Sequence, residues 1–217
     1  MGPMYRLHAF CQSGNSYKCA FLLRALGVPW EAVFVDYMRG GQTREAGWRE
    51  SVNEMGEAPV LEDGPLRLSQ SGAILTYLAE RHGRFGGRDE AQRYEVLRWL
   101  LYDNHKFTSY FATWRFMKSF GADRPDPAVA AFLKGRIETA FGIVDKHLAG
   151  RAYMTGEDPT IADFSMCGYL FFPPEESGYD VARQYPNIGG WLGRLRAIPG
   201  WCDPYEALPG ERIAPSW

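Results

Sequence analysis

The sequence predicts two domains, a small α/β domain with a mixed sheet followed by an all-helical domain. Strand and helix patterns alternate over the first eighty residues, and strand patterns disappear after residue 89. Residues 83–89 contain three glycines and three charged residues, a composition typical of a linker. A chain of 217 residues suits two compact domains. We therefore expect domains over 1–82 and 90–217, joined by the linker 83–89.

The elements of the first domain follow the order βαβ and then ββα. Apolar residues at helical spacing mark the helices, and short apolar runs bounded by turn residues mark the strands. In chain order the predicted elements are strand 5–10, helix 15–26, strand 31–35, strands 58–61 and 66–68, and helix 69–81. Glu62, Asp63 and Gly64 separate the last two strands and predict a hairpin. A parallel pair plus an antiparallel hairpin gives a mixed four-stranded sheet covered by helices.

The second domain is predicted from helical patterns alone. The predicted helices are 90–120, 128–148, 159–172 and 187–197. Prolines at 173, 174 and 199 end the last two of them. Thr160 and Asp163 have the spacing of a capping box, in which each side chain bonds to the backbone of the other residue. We assign this pair to folding rather than to catalysis.

Composition and charge exclude several classes of partner. The net charge is −2, and basic residues are interspersed with acidic ones, so nucleic acid is not expected to bind. No stretch of 18 uncharged apolar residues occurs, so no membrane span is expected, and the N-terminus lacks the apolar core of a signal peptide. The four cysteines form no C-x-x-C pair and suggest neither a metal site nor disulfides. A reducing, cytoplasmic location is therefore expected.

Three short segments of the first domain occur in a characteristic order. Residues 13–18 (SGNSYK) join the first strand to the first helix, residues 56–61 (GEAPVL) precede the hairpin, and residues 68–74 (LSQSGAI) open the last helix. Followed by a helical domain with its Thr-x-x-Asp box, they resemble the cytosolic glutathione transferases of theta-like and nu-like bacterial type. The resemblance covers nearly the whole chain. It implies a thioredoxin-like first domain, with glutathione as co-substrate.

The resemblance implies that Ser13 and Asn15 act on the sulfur of glutathione. A free thiol has a pKa of about 8.5, so little of it is thiolate at neutral pH. A hydroxyl donor at a helix N-terminus stabilises the thiolate without a general base. The alternative is that Ser13 or Asn15 only caps the first helix. Cys11 is expected to be an inert residue at the strand end, and disulfide exchange at Cys11 is the alternative reading.

The resemblance also implies a set of glutathione-binding residues, which are Glu57, Ala58, Pro59, Gln70, Ser71 and Arg44. The main chain of Ala58, before a cis proline, pairs with the cysteinyl backbone as an added strand would. Ser71 at a helix start holds the γ-glutamyl carboxylate, and Gln70 reaches the γ-glutamyl amino group. The alternatives are an ordinary proline at a strand edge and a serine that only caps the helix.

The glycyl carboxylate of glutathione lacks an obvious partner in this sequence. Many family members place a lysine or arginine just before the proline turn, whereas Gly56 and Glu57 stand there in this chain. Arg44 or Gln42, in the polar stretch 39–53, is expected to replace that residue.

The second substrate is expected against the long helix that begins near residue 90. The candidate wall residues are Tyr102, Phe107, Tyr110, Trp114 and Arg115. Three of them, Phe107, Tyr110 and Trp114, fall at helical spacing, so the alternative is that they form a packing interface between domains or subunits. The resemblance implies a homodimer in which the first domain of one subunit meets the long helix of the other.

These observations favour an enzyme that activates glutathione for attack on an electrophilic, apolar substrate, or for reduction of a peroxide or disulfide. The resemblance leaves two alternatives open. One is a binding or regulatory protein on the same fold, because one fold hosts many functions. The other is a glutathione-dependent isomerase or dehalogenase, which would differ only in the substrate pocket.

Overall fold

The structure is a computed structural model that describes residues 4–216. The chain divides into two compact units. The first contains residues 4–84 together with Pro199–Arg212, and the second contains Phe85–Ile198 and residues 213–216. The predicted combination of an α/β domain and a helical domain is confirmed. Within residues 4–216, no helix combines the length and the apolar character needed to cross a membrane.

The first unit is built on a four-stranded mixed sheet. Its elements up to residue 84 are β1 (Tyr5–Ala9), α1 (Gly14–Leu26), β2 (Trp30–Phe34), a 3₁₀ turn (Gln42–Arg44), α2 (Ala46–Ser51), β3 (Val60–Asp63), β4 (Leu66–Ser69) and α3 (Ser71–His82). The strand order is β2-β1-β3-β4, with β1 parallel to β2 and antiparallel to β3. On the inner strand β1, Leu7 is opposite Ala32 on one side and Leu61 on the other, and it is fully buried. The predicted sheet is therefore confirmed.

The polar stretch between β2 and β3 forms two short helical elements. Residues 39–53 contain the 3₁₀ turn and the six-residue helix α2. Trp48 of α2 is buried in a small apolar cluster with Phe10, Val35 and Val60. Burial of a single large aromatic side chain orders this segment, although the segment lacks the apolar periodicity of a longer helix.

The second unit is helical. Its elements are α4 (Glu90–Tyr102), a π-helical turn (Asp103–Phe107), α5 (Thr108–Phe120), α6 (Pro127–Leu148), α7 (Ile161–Met166), a 3₁₀ turn (Pro174–Glu176), α8 (Val181–Gln184) and α9 (Pro186–Arg196). The predicted helix 90–120 is thus interrupted by the π-helical turn. There the buried carboxylate of Asp103 accepts hydrogen bonds from Thr108 Oγ1 at 2.5 Å and Ser165 Oγ at 2.6 Å. Burying this carboxylate without hydrogen-bond donors would cost more free energy than the irregular turn does, so the helix departs from α geometry here.

The predicted capping box at the start of α7 is present. Asp163 Oδ2 accepts from the Thr160 N–H at 2.9 Å, and Oδ1 accepts from Trp191 Nε1 and from the Met154 N–H, each at 2.8 Å. Asp163 is fully buried, and this burial raises the pKa of its carboxyl group despite the hydrogen bonds it accepts. Asp163 therefore joins three segments of the second unit, which agrees with its predicted role in folding.

The C-terminal part of the chain departs from the expected second domain. Pro199–Arg212 belongs to the first unit, and its helix α10 (Pro204–Ala207) packs against α1. Two long-range bonds fix its start, because Arg24 Nε donates to the Gly200 carbonyl and the Tyr17 hydroxyl donates to the Cys202 carbonyl, each at 2.8 Å. The sequence did not predict α10, because this helix has only four residues and no apolar periodicity.

Candidate functional site

Ser13 follows strand β1 and immediately precedes helix α1. Its backbone is extended (φ −88°, ψ 110°), and its Oγ accepts a hydrogen bond from the Ser16 N–H at 3.0 Å. Ser13 is therefore the N-cap of α1, which is the capping role considered for it in the sequence. A hydroxyl oxygen that accepts one bond still has a proton to donate. Capping α1 and donating to a ligand are thus compatible roles for the same side chain.

Asn15 and Ser71 bring two helix starts together. Ser71 Oγ donates to Asn15 Oδ1 at 3.5 Å, although the two residues are 56 positions apart in the sequence. Ser71 is the first residue of α3, and Asn15 lies in the first turn of α1. The first-turn N–H groups of both helices lack partners within their own helix, and both helices present the positive end of their dipoles at this place. The arrangement favours a ligand that carries negative charge.

A small apolar cluster supports this side of the site. Phe10, in the turn before Ser13, stacks on Tyr37 with 4.8 Å between ring centroids and 5° between planes. Ala58 packs against the same cluster, which contains buried Trp48 and Val60. The turn before α1 and the turn before β3 therefore rest on shared side chains, which limits their independent movement.

The turn before β3 contains a cis peptide bond between Ala58 and Pro59, as the resemblance implied. Asn53 Nδ2 donates to the Glu57 carbonyl at 3.0 Å and holds the chain leading into this turn. Pairing of β3 with β4 begins at Val60, after the proline. Among residues 4–216, no hydrogen-bond partner is found for the main chain of Ala58. Its N–H and carbonyl are available to a ligand.

Gln70 adopts a backbone conformation that is rare for a residue with a Cβ atom (φ 68°, ψ 112°). Such conformations cost about 1–3 kcal/mol and are found preferentially at functional sites. The side chain of Gln70 donates to Glu57 Oε2 at 2.8 Å and approaches Met55 Sδ at 3.4 Å. Gln70, at the start of α3, is thereby joined to the turn before β3, and both side chains are exposed.

The predicted cation Arg44 is not brought into contact with the other site residues. Arg44 is exposed at the end of the 3₁₀ turn, and the Gln42 side chain is used inside the loop, where it accepts from the Asp36 N–H at 2.9 Å. A different arginine, Arg49, lies in this loop and donates to the Glu54 carbonyl at 3.3 Å; the sequence did not indicate it. No periodic pattern in residues 46–51 could have revealed it.

Gly56 explains how Arg49 approaches this loop. A Cβ atom at Gly56, whose φ is +67°, would lie 2.5 Å from Arg49 Nη2 and 2.9 Å from the Thr43 carbonyl. The positive φ and the Thr43 carbonyl both disfavour a Cβ atom at this position, and the guanidinium of Arg49 occupies the space that remains. The arginine side chain therefore lies directly against the loop that leads to Ala58.

Three of the predicted wall residues for a second substrate are buried inside the second unit, which corrects that prediction. Phe107 packs against Phe141 with 4.9 Å between ring centroids. Trp114 Nε1 donates to the Ser177 carbonyl at 2.6 Å. Arg115 forms a buried ion pair with Glu176. Helical spacing revealed an apolar face, but these contacts lie within the second unit, so the three residues form neither a substrate wall nor the interface between domains or subunits that was the alternative.

Arg115 is held in place by charge and by aromatic contact. Its Nε and Nη2 donate to Glu176 Oε2 at 2.9 and 2.5 Å, and its guanidinium lies 3.8 Å from the centroid of Phe172. Only 3% of the Arg115 side chain and none of that of Glu176 is exposed. Breaking such a buried pair leaves an uncompensated charge, so Arg115 is a structural residue.

The other two predicted wall residues, Tyr102 and Tyr110, are partly exposed. Tyr102 packs edge-on against Trp99 at 5.5 Å, and burial raises the pKa of its phenol. Tyr110 packs edge-on against Phe132 at 6.1 Å. Of the predicted set, only these two side chains retain a surface that a ligand could contact.

The cysteines near the site are buried thiols. Cys11 and Cys19 have no exposed surface. Burial raises the pKa of the Cys19 thiol to about 12, although the nearby Lys18 acts in the opposite direction. Cys19 is therefore protonated at neutral pH and is not a nucleophile. Residues 4–216 contain no group of three or more His, Cys, Asp or Glu side chains arranged to hold a metal ion.

Comparisons with known proteins agree with this architecture. Residues 4–80 match the family model for the glutathione S-transferase N-terminal domain, and residues 105–199 match the model for the C-terminal domain. A solved glutathione S-transferase from Pseudomonas fluorescens Pf-5 is 30% identical, with a TM-score of 0.82 over 92% of this chain and 98% of that one.

Two further relatives bear on the site. A solved glutathione transferase family member from Pseudomonas fluorescens Pf-5, with two glutathione molecules bound, is 26% identical, with a TM-score of 0.79 over 90% of this chain and 89% of that one. The disulfide-bond oxidoreductase YfcG of Escherichia coli is 27% identical over 197 residues, which are 88% of this chain and 89% of the relative.

Proposed function

Because this chain belongs to the glutathione S-transferase family, we propose that its first unit binds glutathione and activates the thiol for attack on an electrophilic, apolar substrate. The observation that carries the proposal is the contact between Ser71 and Asn15. It brings two helix N-termini side by side, with the Ser13 hydroxyl at one of them. A relative with glutathione bound supports the choice of ligand.

Ser13 is proposed to donate a hydrogen bond to the glutathione sulfur. Lowering a thiol pKa by two units requires about 2.7 kcal/mol of preferential stabilisation of the thiolate. A hydrogen bond to a charged partner contributes about 1.5–3 kcal/mol, and a helix N-terminus up to about 2 kcal/mol. One hydroxyl at the start of α1 is therefore sufficient. Asn15, whose Oδ1 is occupied by Ser71, has its amide N–H groups for a second donation.

The γ-glutamyl end of glutathione is proposed to bind at the start of α3. Its carboxylate would accept from N–H groups of the first turn of α3, and from the Ser71 hydroxyl once that hydroxyl turns from Asn15 Oδ1 to the ligand. Its ammonium group would lie against Glu57, whose carboxylate is oriented by the Gln70 side chain at 2.8 Å. The γ-glutamyl carboxylate would thus bind at the start of α3, and the ammonium group would bind at the turn before β3.

The middle and the glycyl end of glutathione are proposed to lie along the turn before β3. The main chain of Ala58 would pair with the cysteinyl backbone, with Pro59 completing the turn. Arg44, as the sequence predicts, or Arg49, which lies against Gly56, would bind the glycyl carboxylate. The close approach of Arg49 to the loop favours the second of these arginines.

One observation favours a second candidate reaction. The similarity to a disulfide-bond oxidoreductase suggests that glutathione thiolate attacks a disulfide rather than carbon. Two glutathione molecules would then give glutathione disulfide while the substrate disulfide is reduced to two thiols. Neither Ser13 nor Asn15 is a cysteine, so glutathione would supply both reacting thiols.

We also propose that the protein is a cytoplasmic homodimer in which α4 contacts the second copy. Tyr94, Leu97 and Leu101 recur at helical spacing on α4, and they are 65%, 48% and 62% exposed. Three large apolar side chains on one exposed face are typical of an interaction surface. A non-catalytic role is the alternative to the proposed enzyme, and the absence of thiol activation would favour it.

The experiment that tests the proposal is an ultraviolet titration of bound glutathione, which follows thiolate absorbance against pH. We expect a bound-thiol pKa near 6.5, which is about two units below the free value. Ser13→Ala is expected to return it towards 8.5 with little change in the dissociation constant of glutathione. Ser13→Gly is the control for lost capping, because it lacks the hydroxyl but weakens the N-cap by only about a few tenths of a kcal/mol; it should lose the lowered pKa as Ser13→Ala does. Ser13→Thr, which keeps both the hydroxyl and the cap, should retain it.

An unshifted thiol pKa in the wild-type complex would contradict the enzyme and favour a carrier or regulator. Turnover assays with an aryl halide and with a small dialkyl disulfide then separate the two reactions. Conjugate formation supports attack on carbon, and formation of glutathione disulfide supports the second candidate.

A further inference from the structure

Residues 208–211, here called the strap, run beside the turn that ends at Ser13. They follow α10, and like it they belong to the first unit. The bonds from Arg24 to Gly200 and from Tyr17 to Cys202 fix the chain upstream of the strap on the surface of α1. The strap therefore reaches the turn from an anchored position.

Two main-chain carbonyls of the strap bind the two residues that precede Ser13. The Cys11 N–H donates to the Pro209 carbonyl at 2.9 Å. The side-chain amide of Gln12 donates to the Glu211 carbonyl. Both donors are buried, so each of these bonds is costly to lose. The exposed ion pair between Arg39 and Glu211 adds little, because solvent screens it.

Gly210 allows this close approach. Its φ is +120°, and a Cβ atom at this position would lie 3.0 Å from Cys11 Sγ and 3.2 Å from Phe34 Cε2. A residue with a Cβ atom is disfavoured by this backbone angle, and its Cβ would require the strap or the turn to shift. The glycine therefore favours close contact between these two segments.

The turn itself is closed by a bond from the Ser13 N–H to the Phe10 carbonyl at 3.1 Å. Cys11 and Gln12 are the two residues inside this closed turn. Anchoring both of them to the strap fixes the orientation of the whole turn, and hence the direction in which Ser13 Oγ points. A displacement of about 1 Å is enough to weaken a directed hydrogen bond strongly.

We propose that the strap is a positioning element for Ser13, acting through the Pro209 carbonyl, the Glu211 carbonyl and the contact at Gly210. The proposal rests on the proposed function, because it assumes that Ser13 donates to the glutathione sulfur. The strap touches the turn and not the reacting atoms. Its loss should therefore affect thiol activation more than glutathione affinity.

The test uses Gly210→Ala in the full chain. Two readouts are made, hydrogen–deuterium exchange of the backbone amides of residues 10–13 and the pKa of bound glutathione. The matched control is Gly156→Ala in the second unit, where φ is +137° and nothing lies within 4 Å of an added Cβ. Like φ +120° at Gly210, this φ lies beyond the left-handed α region that alanine tolerates, so the control imposes a comparable backbone penalty without a contact to the turn.

The expected result for Gly210→Ala has three parts. Exchange of the Cys11 amide speeds up at least tenfold relative to Gly156→Ala, the bound-thiol pKa rises by about one unit, and the dissociation constant of glutathione changes less than threefold. Adding Cys11→Ala to Gly210→Ala removes the sulfur that the new Cβ meets. It is expected to restore much of the amide protection and of the lowered pKa.

Unchanged exchange of residues 10–13 in Gly210→Ala overturns the proposal, whatever happens to glutathione. Faster exchange with an unchanged bound-thiol pKa also overturns it, because the turn would then be loose without consequence for Ser13. A wild-type protein that lacks a lowered thiol pKa contradicts the proposed function itself. That outcome is read from the wild type alone, so it is distinguishable from failure of the strap.

Discussion

The side-chain amide of Gln70 lies 2.8 Å from the carboxylate of Glu57 and joins the start of α3 to the turn before β3. Both side chains are exposed, so the pair contributes little to stability by itself. The pair fixes the orientation of the Glu57 carboxylate, which lies beside the start of α3, a helix end that attracts anions.

Glu57→Gln tests the proposed ammonium contact. We expect the dissociation constant of glutathione to rise about tenfold, because a hydrogen bond between two charges is replaced by a weaker neutral one. The bound-thiol pKa should not change. Isothermal titration calorimetry measures the affinity, and Glu54→Gln, an exposed carboxylate in the same loop, is the control. Equal weakening of cysteinylglycine, which lacks the γ-glutamyl group, would contradict the assignment.

Gln70→Gly tests whether the rare backbone conformation is kept for binding. Glycine removes the Cβ that disfavours φ 68°, so the free energy of unfolding is expected to rise by about 1 kcal/mol. Glutathione affinity should fall about tenfold because Glu57 loses its partner. Urea denaturation measures the first effect and calorimetry the second. A less stable variant would show that the Gln70 side chain supports the fold rather than the ligand.

Glu62→Gln tests a charge cluster on the sheet. Partial burial opposes ionisation of Glu62, but bonds and charges from His8, Arg6 and Arg67 lower the pKa of its carboxyl group. A lowered folded-state pKa means that Glu62 stabilises the protein above its unfolded pKa of about 4.3, and that this contribution is lost as pH falls through the folded value.

At pH 7, Glu62→Gln is therefore expected to lower the free energy of unfolding by about 1 kcal/mol. The difference from the wild type should shrink as the pH is lowered towards 3. Urea denaturation at a series of pH values measures it. A difference that stays constant with pH would show that packing, and not charge, explains the effect.

Leu97→Glu and Leu101→Glu test the proposed dimer. A charge placed in an apolar interface is costly, so each variant is expected to be monomeric at micromolar concentration while the wild type is a dimer. Sedimentation velocity measures the molecular mass. Ile143→Glu, on an apolar side chain of α6 that is 48% exposed, is the matched control and should leave the mass unchanged. A monomeric wild type would exclude the interface directly.

Local sequence patterns predicted the sheet and the start of the site because both depend on residues close together in the chain. The hairpin follows from the Asp-Gly pair at the end of β3, where Asp63 pairs with Leu66, and the cap of α1 follows from Ser13 at the head of an apolar helical pattern. The cis bond before Pro59 depended on the family resemblance, because its flanking residues alone do not specify it.

The remaining features depend on long-range contacts that no local pattern encodes. The apolar stripe on α5 was visible, but Trp114 is covered by Ser177 and Arg115 is paired with Glu176, both more than sixty positions away. Arg49 reaches its loop only because Gly56 leaves room for it. Periodicity shows which face of a helix is apolar, but it does not show which segment covers that face.

The position of Pro199–Arg212 in the first unit has a consequence for synthesis. The ribosome releases the chain from its N-terminus, so residues 4–84 leave the exit tunnel long before the strap is made. During that interval the Cys11 amide has no Pro209 carbonyl to bind, and the turn that carries Ser13 lacks its outer support. The turn can reach its final form only after Phe85–Ile198 of the helical unit has been translated, so it is among the last parts of a newly made molecule to mature.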